Sequence, residues 1–156
     1  MPVIKALERP RQSILGIGYE LVLSAADTGG GYELMQFVVP PQVGPPPHIH
    51  KREDECFHIR SGQLRVLRGD DWFDAGPGDS VHLPRGVPHA FRNESTDMAE
   101  LLCWVTPATL EDFFAAFVSE WPESQELPSP PQESDIQAML AAAERHEIEM
   151  LMNDAG

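Results

Sequence analysis

Residues 78–93 read Gly-Asp-Ser-Val-His-Leu-Pro-Arg-Gly-Val-Pro-His-Ala-Phe-Arg-Asn, with glycines and prolines ahead of His89 and an asparagine four residues after it. A second polar cluster lies upstream, where His48 and His50 are followed by Glu53-Asp54-Glu55. His48 and His50 point to one face if their segment is extended, because side chains alternate along a strand. The two clusters offer three imidazoles and a carboxylate. This is a sufficient ligand set for one divalent ion such as Fe, Mn, Ni, Co or Zn.

Alternation alone does not decide which glutamate completes this set, because Glu53 and Glu55 have the same parity. An unbroken strand would place His50 and Glu55 on opposite faces, so a bend is predicted at residues 51–54. Glu55 is the preferred ligand, since Phe57 and Ile59 continue its inward-facing row.

The two clusters together resemble the paired motifs of the cupin family. The first motif is His-x-His, four residues, Glu, six residues and Gly, and it is matched by His48, His50, Glu55 and Gly62. The second motif is matched at every fixed position, by Gly78, Pro84, Gly86, His89 and Asn93. One departure is Gln42, which stands where the first motif usually opens with a glycine, and no ligand is affected. The resemblance covers roughly residues 13–106. Residues 27–31, residues 45–50 and Thr106-Pro107 further resemble small bacterial cupins grouped with quercetin dioxygenase-like proteins.

This resemblance implies an all-β fold, a cupin jelly-roll β-barrel with a C-terminal helical extension. It implies that His48, His50, Glu55 and His89 bind one divalent metal ion, that Glu55 also acts as a catalytic base, and that the partner is a small-molecule substrate. The implied activity is that of an oxygenase-type enzyme acting on a small aromatic or enolisable substrate. Two alternatives stay open: non-redox isomerase, cyclase or lyase chemistry with the metal as Lewis acid, and a module that binds or senses a small molecule.

The remaining sequence pattern predicts one domain over residues 1–156, with an N-terminal segment at 1–18, a barrel at 19–106 and a helical acidic extension at 107–156. Short runs broken by turn residues favour about eight antiparallel strands that close on themselves. Residues 19–24 and 32–39 are predicted to form a hairpin around Asp27-Thr-Gly-Gly-Gly. Residues 122–133 contain four prolines among polar residues, which is typical of a linker.

In the extension, Thr109-Leu-Glu-Asp112 predicts a helix start in which the threonine hydroxyl caps the first turn. An apolar stripe at helical spacing follows and is expected to pack on the outside of the barrel; it comprises Leu110, Phe113, Phe114 and Phe117. A second helix is predicted from Asp135 to Arg145. Beyond it, Ile148, Met150 and Met152 alternate, as in a short strand or a simple continuation of the packing.

Several further side chains are weaker candidates for the site. Four aromatic residues could line a pocket for an aromatic substrate or simply belong to the barrel core, namely Phe37, Phe57, Phe91 and Trp104. His82 is a possible donor to a metal ligand, and Arg85 and Arg92 flank His89 where they could hold a substrate carboxylate. Cys56 is interpreted as a buried small side chain, and neither Cys56 nor Cys103 is expected to be a nucleophile.

The composition limits the classes of partner and the compartment that are expected for the chain. The net charge is −14, of which residues 107–156 contribute −10, so nucleic acid and anionic membrane surfaces are poor partners. Two cysteines and an N-terminus without a long apolar run predict a cytoplasmic, reduced protein with no membrane span. Residues 1–18 carry aliphatic side chains without an obvious place in one barrel, including Ile4, Leu7 and Ile14, and they are predicted to help form a homodimer.

Overall fold

The structure is a computed structural model that describes residues 3–6 and 9–151. The strands in this part are β1 Gln12–Ile14, β2 Ile17–Leu23, β3 Glu33–Val39, β4 His48–His50, β5 Asp54–Ser61, β6 Leu64–Arg68, β7 Asp71–Ala75, β8 Ser80–Leu83, β9 His89–Arg92, β10 Ala99–Thr106, β11 Ser119–Glu120 and β12 Ile148–Met150. The helices are α1 Ala25–Thr28, α2 Leu110–Ala115 and α3 Glu133–Arg145.

The strands form two antiparallel sheets. One has seven strands in the order β11-β1-β2-β3-β10-β5-β8, and the other has five in the order β12-β4-β9-β6-β7. The predicted all-β jelly roll with a C-terminal helical extension is confirmed. The sequence predicted about eight strands that close on themselves. The structure differs, because within the described ranges the strands remain in two separate hydrogen-bonded sheets. Strands β1 and β11 escaped prediction because three and two residues are too few to show alternation.

Alternation of buried and exposed side chains builds the core between the sheets. The buried positions recur at every second residue of β3, β5 and β10, and they include Met35, Phe37, Phe57, Ile59, Leu101 and Cys103. The predicted hairpin is confirmed, since β2 pairs with β3, and its connection contains the short helix α1. Trp104 lies on the opposite face of β10 and is 38% exposed, so the expectation that it lines a pocket is wrong. Cys56 lies on the outer face of β5 and is only partly buried, which also differs from the prediction.

Motif residues outside the ligand set hold loops in place. The buried Asn93 side chain donates from Nδ2 to the carbonyls of Val39 (2.9 Å) and Asp97 (2.7 Å). Gly62 has φ +75°, and a Cβ there would lie 2.5 Å from the Met98 carbonyl oxygen, so no larger residue fits. Gln42 also has a positive φ of 65°, which explains why glycine is usual at this position of the motif.

Helix α2 begins differently from the prediction. Thr109 makes no side-chain hydrogen bond to the first turn of the helix, so the predicted threonine cap is wrong. The buried carboxylate of Glu33, from β3, instead accepts hydrogen bonds from the backbone N–H groups of Leu110 and Glu111, both at 3.1 Å. Thr109 and Glu33 could both accept hydrogen bonds from these N–H groups. Glu33 is distant in sequence, so tertiary packing determines which of the two does so.

The apolar stripe of α2 does not lie on the outside of the barrel, which corrects the sequence-based expectation. Phe114 packs into the space between the sheets, with its ring centroid 5.2 Å from that of Tyr19 and 6.1 Å from that of Phe37. Phe113 and Phe117 pack beside it, and their ring centroids lie 4.9 Å apart. The stripe is therefore part of the same hydrophobic core as the strands. All four side chains of the stripe are buried there, and burial removes more of their apolar surface from water than packing on the outside of the barrel would.

The rest of the extension returns to the histidine strand. Helix α3 confirms the predicted second helix and begins two residues earlier, and its residues Met139, Ala142 and Ala143 are buried. Strand β12 pairs antiparallel with β4, with Ile148 opposite His50 and Met150 opposite His48. The short-strand alternative is thus confirmed for Ile148 and Met150, whereas Met152 lies outside the described residues.

The start of the chain belongs to the seven-stranded sheet. Strand β1 pairs with β2 on one side and with β11 on the other. Ile14 and Ile17 are buried within the chain itself, so these two side chains are not free for contact with a second copy. Leu7, which also entered the homodimer prediction, lies outside the described residues. In the part of the chain that the structure describes, none of the helices has the length and apolar character needed to cross a bilayer.

Candidate metal centre

Three separate strands bring the predicted ligands together. His48 and His50 lie on β4, and His48 is directly opposite His89 of β9 in the antiparallel pairing. Lys51 and Arg52 form the bend that alternation required, and the chain then enters β5, where Glu55 faces inward. The parity change predicted between His50 and Glu55 is therefore produced by this bend.

The four side chains form one compact cluster. One ligand atom from each of His48, His50, Glu55 and His89 lies within 4.8 Å of the others. Glu55 Oε2 is 2.6 Å from His89 Nε2 and 3.3 Å from His50 Nε2. His50, Glu55 and His89 are buried, and His48 is half-buried at the edge of the group. The structure thus brings together all four residues that the sequence nominated.

Hydrogen bonds at the far side of each ring fix the histidine tautomers. Nδ1 of His48 lies 2.8 Å from the Pro46 carbonyl, and Nδ1 of His89 lies 3.3 Å from the Val87 carbonyl. Nδ1 of His50 lies 3.2 Å from Oε2 of Glu53. Carbonyl and carboxylate oxygens only accept, so in each neutral ring the proton is on Nδ1 and the lone pair is on Nε2. All three Nε2 atoms are therefore available as ligands.

The arrangement of the four side chains suits a bound cation better than it suits hydrogen bonds among the side chains. Glu55 Oε2 and His89 Nε2 are buried and close together, yet within the described residues neither has a hydrogen-bond partner of acceptable geometry. Two unprotonated lone pairs 2.6 Å apart repel each other unless a cation binds both. Buried polar atoms without partners are costly, and a bound divalent ion would satisfy both.

The electrostatics of the cluster keep His48 neutral and Glu55 ionised but act differently on His50. Burial, together with the neighbouring imidazoles of His89 and His50, lowers the pKa of His48 to about 3. Burial alone would raise the pKa of Glu55, but the surrounding imidazoles of His50 and His89 outweigh it and hold this pKa well below its ordinary value. A neutral imidazole and an ionised carboxylate are the forms that bind metals. Burial lowers the pKa of His50, but the carboxylates of Glu55 and Glu53 outweigh this effect and raise it above its ordinary value, so a metal ion would have to displace a proton there.

Two residues that support the candidate ligand His50, Glu53 directly and Thr109 through Glu53, were not identified from the sequence in these roles. Glu53 is 1% exposed and bonds to His50, so it supports a ligand, whereas the sequence left it open as a ligand itself. Its other oxygen, Oε1, accepts a hydrogen bond from Thr109 Oγ1 at 2.5 Å. Burial raises the pKa of Glu53, but the hydrogen bonds from His50 and Thr109 outweigh this effect and lower it. The shared parity of Glu53 and Glu55 was the available signal, but no sequence pattern pointed to Thr109.

Cys103 contacts the remaining oxygen of the carboxylate ligand. Its thiol lies 3.5 Å from Glu55 Oε1, within reach of a weak S–H donor. Burial and the adjacent carboxylate of Glu55 raise the pKa of Cys103, so the sulfur stays protonated and acts as a donor. This agrees with the expectation that Cys103 is not a nucleophile.

A cavity of about 70 Å³ opens beside the cluster. Its polar lining consists of His48, His50 and Glu55. Its apolar lining comes from the strands, including the predicted Phe37, Phe57 and Phe91, and from the C-terminal extension, which supplies Leu110, Phe113, Phe114, Phe117, Met139, Ile148 and Met150. The extension therefore forms a roof over the candidate centre.

The other candidate residues lie away from this cavity. Arg85 is exposed and pairs with Asp54, with Nη2 3.2 Å from Oδ2. Arg92 is exposed at the end of β9, and His82 is exposed on β8 opposite Cys56. Among the residues that the structure describes, the cavity lining includes no lysine or arginine.

Comparisons with known proteins agree with this architecture. Residues 35–105 match the family model described as the cupin domain. Quercetin 2,3-dioxygenase of Bacillus subtilis (strain 168) is 25% identical over 140 residues, which cover 85% of this chain and only 39% of that protein. The chain therefore spans well under half the length of this relative.

Solved structures show the same fold at low sequence identity. A predicted oxalate decarboxylase from Thermotoga maritima has a TM-score of 0.61 at 17% identity, covering 66% of this chain and 96% of that chain. The polyketide cyclase RemF from Streptomyces resistomycificus has a TM-score of 0.56 at 22% identity, covering 67% and 78% respectively. The match over residues 35–105, the two-sheet fold and the paired motifs lead to one conclusion: residues 35–105 of this chain form a cupin domain.

Proposed function

We propose that this chain binds one divalent metal ion through Nε2 of His48, His50 and His89 and a carboxylate oxygen of Glu55, and that it is an oxygenase-type enzyme for a small apolar substrate. The observation that carries the metal proposal is the convergence of buried lone pairs without hydrogen-bond partners at Glu55 Oε2 and His89 Nε2. The identity of the ion is left open, because imidazole and carboxylate ligands suit several metals.

The cavity supports an aromatic or enolisable substrate with one polar group. Apart from the proposed ion itself, a substrate carboxylate or phosphate buried here would find no counter-charge, since no lysine or arginine lines the described cavity. The polar side chains converge at one end, so a substrate would place its oxygen there and its apolar part against Phe37, Phe57 and Phe91. A water needs roughly 10–15 Å³ of such volume. The cavity of about 70 Å³ thus admits a small ligand, and a larger one requires the roof to move.

The chain's own residues would hold the substrate and accept a proton. When bound, a divalent ion in this nitrogen and oxygen ligand set supplies Lewis acidity and open coordination positions for a substrate oxygen. Glu55 is the carboxylate that lines the described cavity and would accept the proton of an enol or phenol. Its lowered pKa makes it a weak base, so this role requires a substrate that the bound ion has made more acidic. The apolar roof would exclude bulk water from the bound substrate.

The likeness to quercetin 2,3-dioxygenase supports dioxygen as the second substrate. The test is turnover of a panel of small enols and diphenols by metal-loaded protein, in air and under argon, with dioxygen consumption measured by an electrode. The proposal expects consumption in air that depends on both protein and substrate, and no turnover under argon. Undiminished turnover under argon with zinc would refute the oxygenase assignment in favour of Lewis-acid chemistry. Tight binding without turnover in either atmosphere would refute catalysis in favour of a sensing module.

A further inference from the structure

We infer that Glu53 and Thr109 are positioning residues that couple the metal affinity of the centre to the placement of helix α2 over the cavity. This inference rests on the proposed metal site. It concerns two side chains that bind neither metal nor substrate directly.

The first step is the contact between Glu53 and a ligand. Glu53 Oε2 accepts the Nδ1 proton of His50 at 3.2 Å, which fixes the ring orientation and leaves Nε2 facing the cluster. Glu53 is 1% exposed, and within the described residues its carboxylate has no lysine or arginine partner. A buried carboxylate without a lysine or arginine partner is expensive to desolvate, so Glu53 depends on its hydrogen bonds to His50 and Thr109.

The second step links this carboxylate to the roof. Glu53 Oε1 accepts a hydrogen bond from Oγ1 of Thr109, the residue immediately before α2. A threonine at this position normally caps its own helix, but here Glu33 occupies the backbone donors of the first turn. The hydroxyl of Thr109 is thereby left free to bond to Glu53. The next residues along the chain, Leu110, Phe113 and Phe114, line the cavity.

The consequence is a reciprocal coupling between the two features. If α2 must be in place for Thr109 to hold Glu53, then metal binding at His50 favours the closed roof by the same free energy. A substrate too large for the closed cavity would displace α2 and weaken the hold on His50. The roof and the centre would then respond to each other through a path of three side chains.

The test is a Zn²⁺ titration against a chromophoric chelator, with Co²⁺ absorption spectra as a second readout. We expect Glu53→Gln and Thr109→Val to weaken Zn²⁺ binding by about 10-fold or more and to alter the Co²⁺ spectrum. Thr109→Ser keeps the hydroxyl, so its Zn²⁺ affinity and Co²⁺ spectrum should match those of the unaltered chain. Thr106→Val is the matched control, because it removes a hydroxyl that bonds to the Gly31 carbonyl and not to Glu53.

Hydrogen exchange gives a second test, and its first part uses only the unaltered chain. Zn²⁺ should slow amide exchange in α2 as well as in β4, and this effect on α2 should disappear in Thr109→Val. Slowed exchange in β4 with no change in α2, or unchanged Zn²⁺ affinity in Thr109→Val, would overturn the coupling. His50→Ala distinguishes a failure of the proposed metal site from a failure of the coupling. If that variant binds Zn²⁺ like the unaltered chain, the metal site itself is wrong. If it loses Zn²⁺ while Thr109→Val keeps full affinity, only the coupling is wrong.

Discussion

Glu33 provides a stability test of how the roof is anchored. Its side chain is fully buried, and its two oxygens accept the backbone N–H groups of Leu110 and Glu111. Burial raises the pKa of Glu33 from 4.5 to about 7, against the opposing effect of these two donors. The perturbation is Glu33→Gln, which keeps the shape and one carbonyl acceptor but removes the titration.

The sign follows from the raised pKa. The folded state holds the Glu33 proton more tightly than the unfolded chain does, so the resulting stabilisation is complete below pH 4.5 and is lost as the pH rises to about 7. Each pH unit in this window contributes up to about 1.4 kcal/mol, which gives a total of up to about 3 kcal/mol. The free energy of unfolding of Glu33→Gln minus that of the unaltered chain should therefore increase from pH 4.5 to pH 7.

The assay is urea unfolding of metal-free protein, followed by circular dichroism at intervals across this pH range. Subtracting the two curves removes the titration of groups that both proteins share. Glu120→Gln serves as the control, because it makes the same chemical change at an exposed position on β11. If the difference for Glu33→Gln is constant with pH, or decreases with pH, the helix N–H groups keep Glu33 ionised and burial does not dominate.

Three further predictions concern the core, the roof and assembly. Asn93→Ala leaves the Val39 and Asp97 carbonyls without their donor and should lower the free energy of unfolding by about 2–4 kcal/mol. A loss under about 1 kcal/mol in urea would contradict this role. Phe113→Ala should cost about 3–5 kcal/mol and enlarge the cavity. Tighter binding of naphthol than of phenol by this variant alone would support the roof assignment, and an unchanged preference would count against it. A homodimer remains a prediction, and light scattering at micromolar concentration should give twice 17.3 kDa. A mass of one chain would refute it.

The members of the ligand set were marked by local patterns, and their convergence was predicted from the resemblance to the paired cupin motifs. His48 and His50 share a face by strand geometry, and the glycines and prolines before His89 mark a turn at fixed distances. The bend between His50 and Glu55 followed from parity alone, and the structure places it at Lys51 and Arg52. Each of these inferences uses residues within one strand or one turn, where periodicity carries the information.

The supporting contacts were not predictable, because they join residues far apart in the chain. The bond between Thr109 and Glu53 spans 56 positions, and the bond between Glu33 and the Leu110 amide spans 77. The apolar stripe of α2 looked the same whether it packed outside the barrel or over the cavity, since periodicity reveals a buried face but not what covers it. The prediction for Trp104 was wrong because it assigned the inward face of β10 to the other parity. Cys103 and Val105 take that face, so the indole of Trp104 lies outside.

The central claim is that His48, His50, Glu55 and His89 hold one metal ion, and elemental analysis of purified variants tests it most directly. Protein produced in medium with mixed divalent metals would be compared with His50→Ala, His89→Ala and the control His58→Ala. His58 is half-buried on the outer face of β5 and bonds to Ser80, outside the cluster. We predict about one equivalent of metal per chain in the unaltered protein and in His58→Ala. The His50 and His89 variants should contain almost none while their circular dichroism stays that of a folded sheet protein. Full metal content in either of these folded variants would contradict the account.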